Sequence, residues 1–307
     1  MQEIREYAPV LIPTLNRYKH FRRCVESLAK CTHADKTELV IGLDYPPAEK
    51  YREGWEKISG YISLITGFKK VTVLRTDTNL GAIANSCRIR EYIQDKYKTY
   101  IFSEDDNEFS PCFLDYINKV LTRYWDDERV TSVSGYNYPV DMDDYEKNIY
   151  SHHQYSAWGV GRWVHKYKRI PVEYSKEILK SPIKIYKILR AEPKLLYILM
   201  LMIVHEQRWG DTLTVAFNII NKQYSIFPTV SLCRNYGHDG SGLHCGGERD
   251  DNLELFRNQN ISRNLNFDPD VIEIKDTYLP SLKKYLGISL KEAIYYLKMY
   301  FVYLIKK

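Results

Sequence analysis

Three acidic side chains, Glu104, Asp105 and Asp106, stand side by side in the stretch YIFSEDDNEFSP, where they follow a run of residues typical of a buried strand. Adjacent like charges repel one another unless a cation lies among them. Carboxylates at the mouth of a parallel sheet suit Mg²⁺ or Mn²⁺, hard cations that bind one or two protein carboxylates together with substrate phosphates. An acidic triplet more commonly lies in a solvated turn. Here a buried strand precedes the triplet and a Ser-Pro pair at the start of a helix follows it, and this context favours a cation site.

A single aspartate, Asp211, is the candidate base. It follows a Trp-Gly pair in EQRWGDTL, inside a stretch with helical patterning. An aspartate in such a stretch is more often exposed or capping than catalytic. A positioned carboxylate can nevertheless take a proton from a hydroxyl group, and it then contributes about 10²–10⁴-fold to the rate.

Two glycine-containing segments could contact a ligand through their backbone. NLGAIANSC, residues 79–87, opens a helix at Gly81 and could direct N–H groups toward an anion or a base. The loop NYGHDGSGLHC, residues 235–245, is either a flexible surface loop or a flap over a phosphorylated ligand. Its possible metal or phosphate contacts are His238, Asp239, Ser241 and His244. A zinc site is disfavoured because two of its candidate ligands, His244 and Cys245, are adjacent in sequence and rarely converge on one ion.

The elements that must position these groups form a βαβ series. In the first 135 residues, the β-rich runs PVLIPT, ELVIGLD, KVTVLRT and KTYIFSE alternate with segments of helical apolar spacing. This alternation predicts an α/β fold with a mainly parallel sheet flanked by helices, and with Asn16 as the cap of the first helix. Ligands bind such sheets beyond the carboxyl ends of the strands. Four polar residues follow such ends: Asn16, Asp44, Asn79 and Asp105.

The later part of the chain differs in composition. From about Gly135, the segment YNYPVDMDDYEKNIYSHHQYSAWGVGRW is rich in Tyr, Trp, Gly and His. Such a rim suits a polar, ring-shaped ligand, and an aromatic packing segment is the alternative. Helical patterns return over residues 176–217.

Composition narrows the class of protein. A chain of 307 residues with a net charge of +5 is ordinary for a globular protein, and its lysines and arginines are too dispersed to indicate nucleic-acid binding. The start of the chain lacks the features of a secretory signal, so a cytoplasmic location is expected. The apolar run LLYILMLMIV is too short to span a bilayer, which predicts a core helix. The tail, residues 289–307, mixes lysines with apolar residues, which suits either peripheral membrane association or docking on the protein's own core.

Several of these stretches together resemble the GT-A type inverting glycosyltransferases, broadly glycosyltransferase family 2, over roughly residues 8–250. APVLIPTLNRYKHFRRCVESL is similar to the opening strand and helix of that family, and NLGAIANSCRI to the helix whose start lies along the nucleotide. YIFSEDDNEFSPCFLDYI resembles the metal-binding segment of N-acetylglucosaminyltransferase I and its relatives. SAWGVGRWVHKY resembles the Trp-Gly segment at the donor and acceptor sugars, and QRWGDT falls where the family has its catalytic carboxylate.

The resemblance implies a role for each matched residue. Asp106 would be the direct metal ligand, Asp211 the base, and Asp44 the acceptor of a hydrogen bond from uracil N3–H. His244, or less well His238, would match a histidine that contacts the metal or the diphosphate. The remaining residues around the nucleotide sugar would be Pro13, Thr14, Asn16, Arg17, Asn79, Gly81, Glu104, Asp105, Trp158 and Gly159.

The resemblance also implies the activity: a metal-dependent inverting transferase, using Mn²⁺ or Mg²⁺, that moves a sugar from a UDP-sugar to a hydroxyl of a glycan or lipid-linked glycan in surface polysaccharide biosynthesis. Residues 1–135 would bind the nucleotide sugar, 136–250 would supply the acceptor side and the base, and 251–307 would be a helical extension. A sugar nucleotidyltransferase is disfavoured because IPTLNRYKHF lacks the glycine-rich loop that grips phosphates. A non-catalytic carbohydrate-binding protein would have no use for Asp106 and Asp211 together.

Overall fold

The computed structural model describes residues 3–142, 145–167, 173–242, 256, 258–264, 267–277 and 279–306. The strands that it describes are β1 Val10–Thr14, β2 Glu38–Leu43, β3 Lys70–Arg75, β4 Thr99–Phe102, β5 Asn107–Phe109, β6 Val130–Ser134, β7 Ile149–His152, β8 Val160–Trp163, β9 Tyr224–Pro228 and β10 Cys233–Asn235. Eight of these form one sheet in the order β3-β2-β1-β4-β8-β6-β9-β7, and β5 pairs with β10 in a separate antiparallel ribbon.

The predicted mainly parallel sheet is confirmed. β3, β2, β1 and β4 are mutually parallel, and β6 is parallel to β9. β8 lies between β4 and β6 and is antiparallel to both, and β7 is antiparallel to β9. All six residues of β2 are buried, as expected of a strand covered on both faces by helices. The carboxyl ends of β1, β2 and β4 therefore lie at one edge of the sheet, where the polar residues begin.

The helices flanking this half of the sheet follow the predicted apolar spacing. Their bounds are α1 Tyr18–Ala29, α2 Arg52–Ile62, α3 Ala82–Ile93 and α4 Phe113–Arg123. α1 buries Phe21, Cys24, Val25 and Leu28, one stripe at i, i+3, i+4 and i+7. α4 buries nine residues and packs on β6 and β8.

A second group of helices lies between β8 and β9 in the chain and after β10. The helices that the structure describes here are α5 Val164–Tyr167, α6 Tyr174–Leu179, α7 Pro182–Ala191, α8 Pro193–Val204, α9 Gly210–Asn221, α10 Pro280–Tyr285 and α11 Leu290–Lys306. The predicted core helix is confirmed as α8, which buries Leu195, Leu196 and Leu199. α11 packs against α8 and α7, and the Tyr300 hydroxyl donates a hydrogen bond to the Leu179 carbonyl at 2.6 Å. None of the described helices is long and apolar enough to cross a membrane.

Candidate active site

Asp105 and Asp106 lie in the turn between β4 and β5, and Arg17 forms an ion pair with both. The Arg17 Nη1 atom is 2.7 Å from Asp106 Oδ2, and Arg17 Nη2 donates to Asp105 Oδ1. The Thr14 hydroxyl donates to Asp105 Oδ2 at 2.7 Å. Burial opposes the charge on Arg17, but the attraction of the two carboxylates prevails and raises its pKa. The cation that relieves the repulsion of the acid pair in this structure is therefore Arg17.

The turn from β1 to α1 brings Arg17 to the acid pair. Arg17 is the N-cap residue of α1, and its carbonyl accepts the first helical hydrogen bond, from the Phe21 N–H at 2.9 Å. The prediction that Asn16 caps this helix is wrong, because the chain enters the helix one residue later and the Asn16 carbonyl accepts from the Tyr18 N–H instead. α2 packs so closely on this turn that a Cβ at Gly54 would lie 2.1 Å from the Asn16 oxygen.

The ribbon of β5 and β10 and the loop after it close over Asp106 from the other side. The Asn235 amide donates to Asp106 Oδ1 at 2.7 Å, and the Tyr236 N–H donates to the Asp106 carbonyl at 2.9 Å. A Cβ at position 237 would lie 2.2 Å from Asp106 Oδ2, so only glycine fits there. The sequence analysis identified this loop as a candidate site segment. Nothing in the sequence indicates that Asn235 and Gly237 contact Asp106.

The loop is fastened to α1 beyond this contact. His20 Nε2 lies 2.9 Å from Asp239 Oδ2, and the Ser241 hydroxyl and N–H both donate to Asp239 Oδ1. Burial acts to raise the pKa of Asp239, but these hydrogen bonds and His20 lower it to about 2. His238 packs instead against Trp158 and Phe256, with ring centroids 5.9 and 4.6 Å apart. His244 lies outside the described residues, so its contact with metal or diphosphate stays a prediction.

Asp44 is engaged within the chain. Its two carboxylate oxygens accept five hydrogen bonds, at 2.8–3.1 Å, from Tyr45 N, Thr76 Oγ1, Asn79 Nδ2, Leu80 N and Gly81 N. A carboxylate has about four lone-pair sites, so none is left over for uracil in this arrangement. In the segment predicted to direct N–H groups toward an anion or a base, the N–H groups of Leu80 and Gly81, just before α3, donate to this carboxylate. Recognition of uracil by Asp44 stays a prediction.

Trp158 and Gly159 lie on the aromatic side of the site. The half-buried Trp158 ring packs edge-on against Tyr136 and Phe256, with centroids 4.7 and 5.1 Å away. Gly159 has φ +68°, and a Cβ there would lie 2.7 Å from the Phe109 ring. Backbone conformation and packing both require glycine at this position, whatever ligand lies nearby.

Asp211, in the first turn of α9, lies near enough to Glu104 of the acid triplet for the two carboxylates to repel each other. Its side chain reaches solvent, yet the surrounding protein restricts its hydration and raises its pKa to about 6 against the attraction of Arg162. Burial, followed by repulsion from Asp106 and Asp211, raises the pKa of Glu104 to about 8. The structure thus brings Asp211 within the electrostatic range of Glu104, a residue more than 100 positions away in sequence.

Arg162 on β8 is a site residue that the sequence analysis missed. Its guanidinium is buried, lies over the rings of Tyr155 and Tyr167 at 4.2 and 4.8 Å, and donates to the Thr214 hydroxyl on α9 at 3.1 Å. It therefore fixes the start of α9 relative to the sheet. A single arginine inside a strand carries no pattern that would have identified it.

No protein-family model and no curated protein matches the chain. Among solved structures, Staphylococcus aureus TarS is similar, at 14% identity and a TM-score of 0.35 over 53% of this chain and 29% of that one. A second is the mannosyltransferase PcManGT from Pyrobaculum calidifontis in complex with GDP-Man and Mn²⁺, at 11% identity and a TM-score of 0.39 over 70% of both chains. The chain thus spans less than a third of TarS, and neither similarity bears on what this chain binds or does.

The acid triplet itself suits a hard divalent cation. Arg17 pairs with Asp105 and Asp106, and the single charge of its guanidinium cannot balance three ionised carboxylates. Each Asp106 oxygen accepts one hydrogen bond, and a carboxylate oxygen has a second lone pair for a metal. Asp106, with Asp105 beside it, would hold Mn²⁺ or Mg²⁺ here.

Elsewhere in the described ranges, one group of three potential metal ligands lies close together: His152, His153 and Asp276. His153 Nδ1 is 2.8 Å from Asp276 Oδ1, and its Nε2 is 3.7 Å from Glu192. Burial opposes the charge on His153, but the two carboxylates raise its pKa to about 9. His152 Nδ1 accepts a hydrogen bond from the Gln154 N–H at 3.2 Å. In this cluster, His153 forms ion pairs that hold Asp276 at the end of β7.

Proposed function

We propose that this protein is a metal-dependent inverting glycosyltransferase that transfers a sugar from a UDP-sugar to a hydroxyl group of a glycan or lipid-linked glycan. The observation that carries the proposal is that Asp211, with a raised pKa, lies near enough to Glu104 to repel it, while the acid triplet follows β4 at the edge of the sheet where α/β folds bind ligands. A carboxylate with a pKa of about 6 is a base at neutral pH, and the triplet is a cation site.

The reaction would proceed by one displacement. The acceptor oxygen attacks the anomeric carbon as the bond from that carbon to the diphosphate oxygen breaks, and Asp211 takes the acceptor's proton. Asp106, with Asp105 beside it, would hold Mn²⁺ or Mg²⁺, which when bound would supply positive charge to balance the leaving diphosphate. No protein acid is needed for a diphosphate leaving group, so a single carboxylate suffices and the anomeric configuration inverts.

The other side chains would bind and orient the donor. Thr14 and Arg17 hold Asp105, which would approach the ribose or the metal, while Trp158 would border the sugar. Asp44 holds the segment from Thr76 to Gly81 in place through its hydrogen bonds. It would thereby shape the pocket for the uracil base, whichever group accepts the hydrogen bond from uracil N3–H. Pro13, Asn16 and Asn79 would line the same edge.

Isothermal titration of UDP and GDP, with Mn²⁺ and then with EDTA, tests the donor class. We expect UDP to bind only with Mn²⁺ and to bind more tightly than GDP. Tighter binding of GDP than of UDP would contradict a uridine-based donor and would indicate a guanosine-based one. Absence of binding by both nucleotides under both conditions would contradict it and would favour a carbohydrate-binding protein without a nucleotide donor.

Turnover should depend on pH through Asp211. Its pKa is raised to about 6, so the carboxylate is protonated below that pH and cannot act as a base. We expect kcat to rise with pH on a limb with a midpoint near pH 6 and to level off above pH 7, measured as nucleotide diphosphate release at saturating donor and acceptor. A kcat that stays constant between pH 5 and 7 would contradict this assignment.

We also propose that the outer face of α11 rests on a membrane surface. The helix buries Tyr300 against α6 and packs on α8, while its opposite face is exposed. That exposed face repeats at i, i+3, i+4 and i+7 and consists of Lys291, Ile294, Tyr295, Lys298, Phe301, Val302 and Ile305. It contains two lysines and no acidic residue, which suits the surface of an anionic bilayer.

Combined substitution of Ile294, Phe301 and Ile305 by serine should lower co-sedimentation with vesicles containing phosphatidylserine by at least about tenfold, because each lost CH₂ contact is worth about 0.8 kcal/mol. A matched control replaces Leu64 and Val271, two exposed apolar residues outside α11, by serine. These surface substitutions test the membrane proposal more specifically than deletion of residues 289–307, because the deletion would also expose the face of α8 that α11 covers. Equal sedimentation of the triple variant and the wild type would contradict the membrane proposal.

A further inference from the structure

The acid pair already has a cation supplied by the chain itself. We infer that Arg17 and a divalent cation compete for Asp105 and Asp106, so that the site has an arginine-closed form and a cation-bound form. The identity of the cation as Mn²⁺ or Mg²⁺ rests on the proposed function, whereas the competition follows from the three side chains alone.

Burial of the acid pair makes a counter-charge necessary in the absence of metal. Asp105 and Asp106 are each 4% exposed, and the Arg17 side chain is 19% exposed. Buried carboxylates are costly unless they are paired and hydrogen-bonded, and removal of one partner leaves the other charge uncompensated. A guanidinium stays protonated at any physiological pH and can bridge two carboxylates with its planar fork. Arg17 is therefore the group that stabilises the metal-free pair.

A metal ion on the second lone pair of an Asp106 oxygen would lie beside the Arg17 guanidinium. Arg17 Nη1 lies 2.7 Å from Asp106 Oδ2, and Gly237 approaches that oxygen so closely that no side chain fits there. The other Asp106 oxygen accepts from Asn235, and Asp105 accepts from Thr14 and Arg17. A divalent ion about 2.1 Å from Asp106 would lie close to the guanidinium, and two positive charges at such a distance repel strongly in a partly buried site. Binding of one therefore weakens binding of the other.

Arg17 also lies at the N-cap of α1, where a change in its side chain need not disturb the helix. Its side chain makes no capping hydrogen bond, and the first helical bond uses only its carbonyl. The guanidinium can leave the acid pair while the backbone stays in place. Such an exchange would release the positively charged Arg17 side chain from the acid pair, at the carboxyl ends of the strands, each time a metal ion binds.

The competition is tested by Mn²⁺ binding without any nucleotide, followed by the electron paramagnetic resonance signal of free Mn²⁺. Arg17→Ala should bind Mn²⁺ at least about tenfold more tightly than the wild type, which corresponds to about 1.4 kcal/mol. Arg17→Lys should fall between them, because an ammonium cannot bridge both carboxylates as a guanidinium does. The matched control is Arg22→Ala, which removes an exposed arginine of the same helix that pairs with Glu26, and its affinity should stay within about twofold.

Thermal unfolding supplies a second readout. In EDTA, Arg17→Ala should unfold at a lower temperature than Arg22→Ala, and Mn²⁺ should restore most of the difference. If Arg17→Ala does not fold without metal, Arg17→Lys carries both comparisons. Equal or weaker Mn²⁺ binding by the Arg17 variants, or no Mn²⁺ binding by any of the proteins, would overturn the inference. Failure to turn over nucleotide sugars would contradict the proposed function and would leave this competition unaffected.

Discussion

Asp211→Asn is expected to lower kcat by about 10²–10⁴-fold while the affinity for UDP with Mn²⁺ changes by less than about threefold. Asparagine has nearly the same shape but cannot accept a proton from the acceptor hydroxyl. The side chain is exposed in the first turn of α9, so the change should affect the free energy of unfolding little. Steady-state kinetics and isothermal titration on the same protein separate the loss of turnover from the loss of binding.

The control for this substitution is Asp126→Asn, which removes an equal charge from an exposed aspartate that pairs with Arg5. That variant should retain the wild-type kcat. A near-normal kcat for Asp211→Asn would refute its role as the base. Loss of UDP binding along with turnover would instead place Asp211 among the donor-binding residues.

Asp106→Ala is expected to abolish the part of UDP binding that depends on Mn²⁺. Loss of a group that merely orients a metal ligand typically costs 10–100-fold in metal affinity, so loss of a direct ligand should cost at least about 100-fold. The substitution also removes an acceptor from Arg17 and Asn235, which costs about 1–3 kcal/mol of stability. The measurement is titration of UDP at a fixed Mn²⁺ concentration, together with thermal unfolding.

Asp115→Ala separates the two effects of the Asp106 substitution. Asp115, on α4, is similarly buried, at 5% exposure, and pairs with His33 in the segment after α1 and with Lys119 on α4. Its loss should destabilise the protein to a similar degree without reducing UDP affinity. Equal effects of both substitutions on UDP binding would show that Asp106 acts through stability alone.

The strand and helix pattern of the first 135 residues could be predicted because it is local. The spacing of apolar residues is determined by neighbours in sequence, and the structure confirms the four strands and the helices that this spacing predicted. The short strand β5 was not predicted. The order of the later strands could not be predicted, since β8 enters antiparallel between β4 and β6 through contacts between distant segments. Periodicity identifies a strand but does not identify its partner.

The contacts of the site residues were harder to predict than their identities. Arg17 meets Asp105 across 88 positions, and Asn235 meets Asp106 across 129. Asp44 has the residue type of a base-recognising group, but five donors of its own chain satisfy it, a condition that no motif reveals. The raised pKa of Asp211 likewise depends on surroundings that only the folded chain creates.

The proposed transfer is tested most directly by measuring the release of UDP from a panel of UDP-sugars with Mn²⁺. The purified wild-type protein and the Asp211→Asn variant are compared under the same conditions. The panel should include UDP-N-acetylglucosamine, because the E-D-D segment resembles the metal-binding segment of N-acetylglucosaminyltransferase I. We predict that at least one donor yields UDP, that a sugar hydroxyl acceptor accelerates its release, and that EDTA and Asp211→Asn both suppress it. Release that is equal in the wild type and in Asp211→Asn, or no release from any donor that binds, would contradict glycosyl transfer at this site.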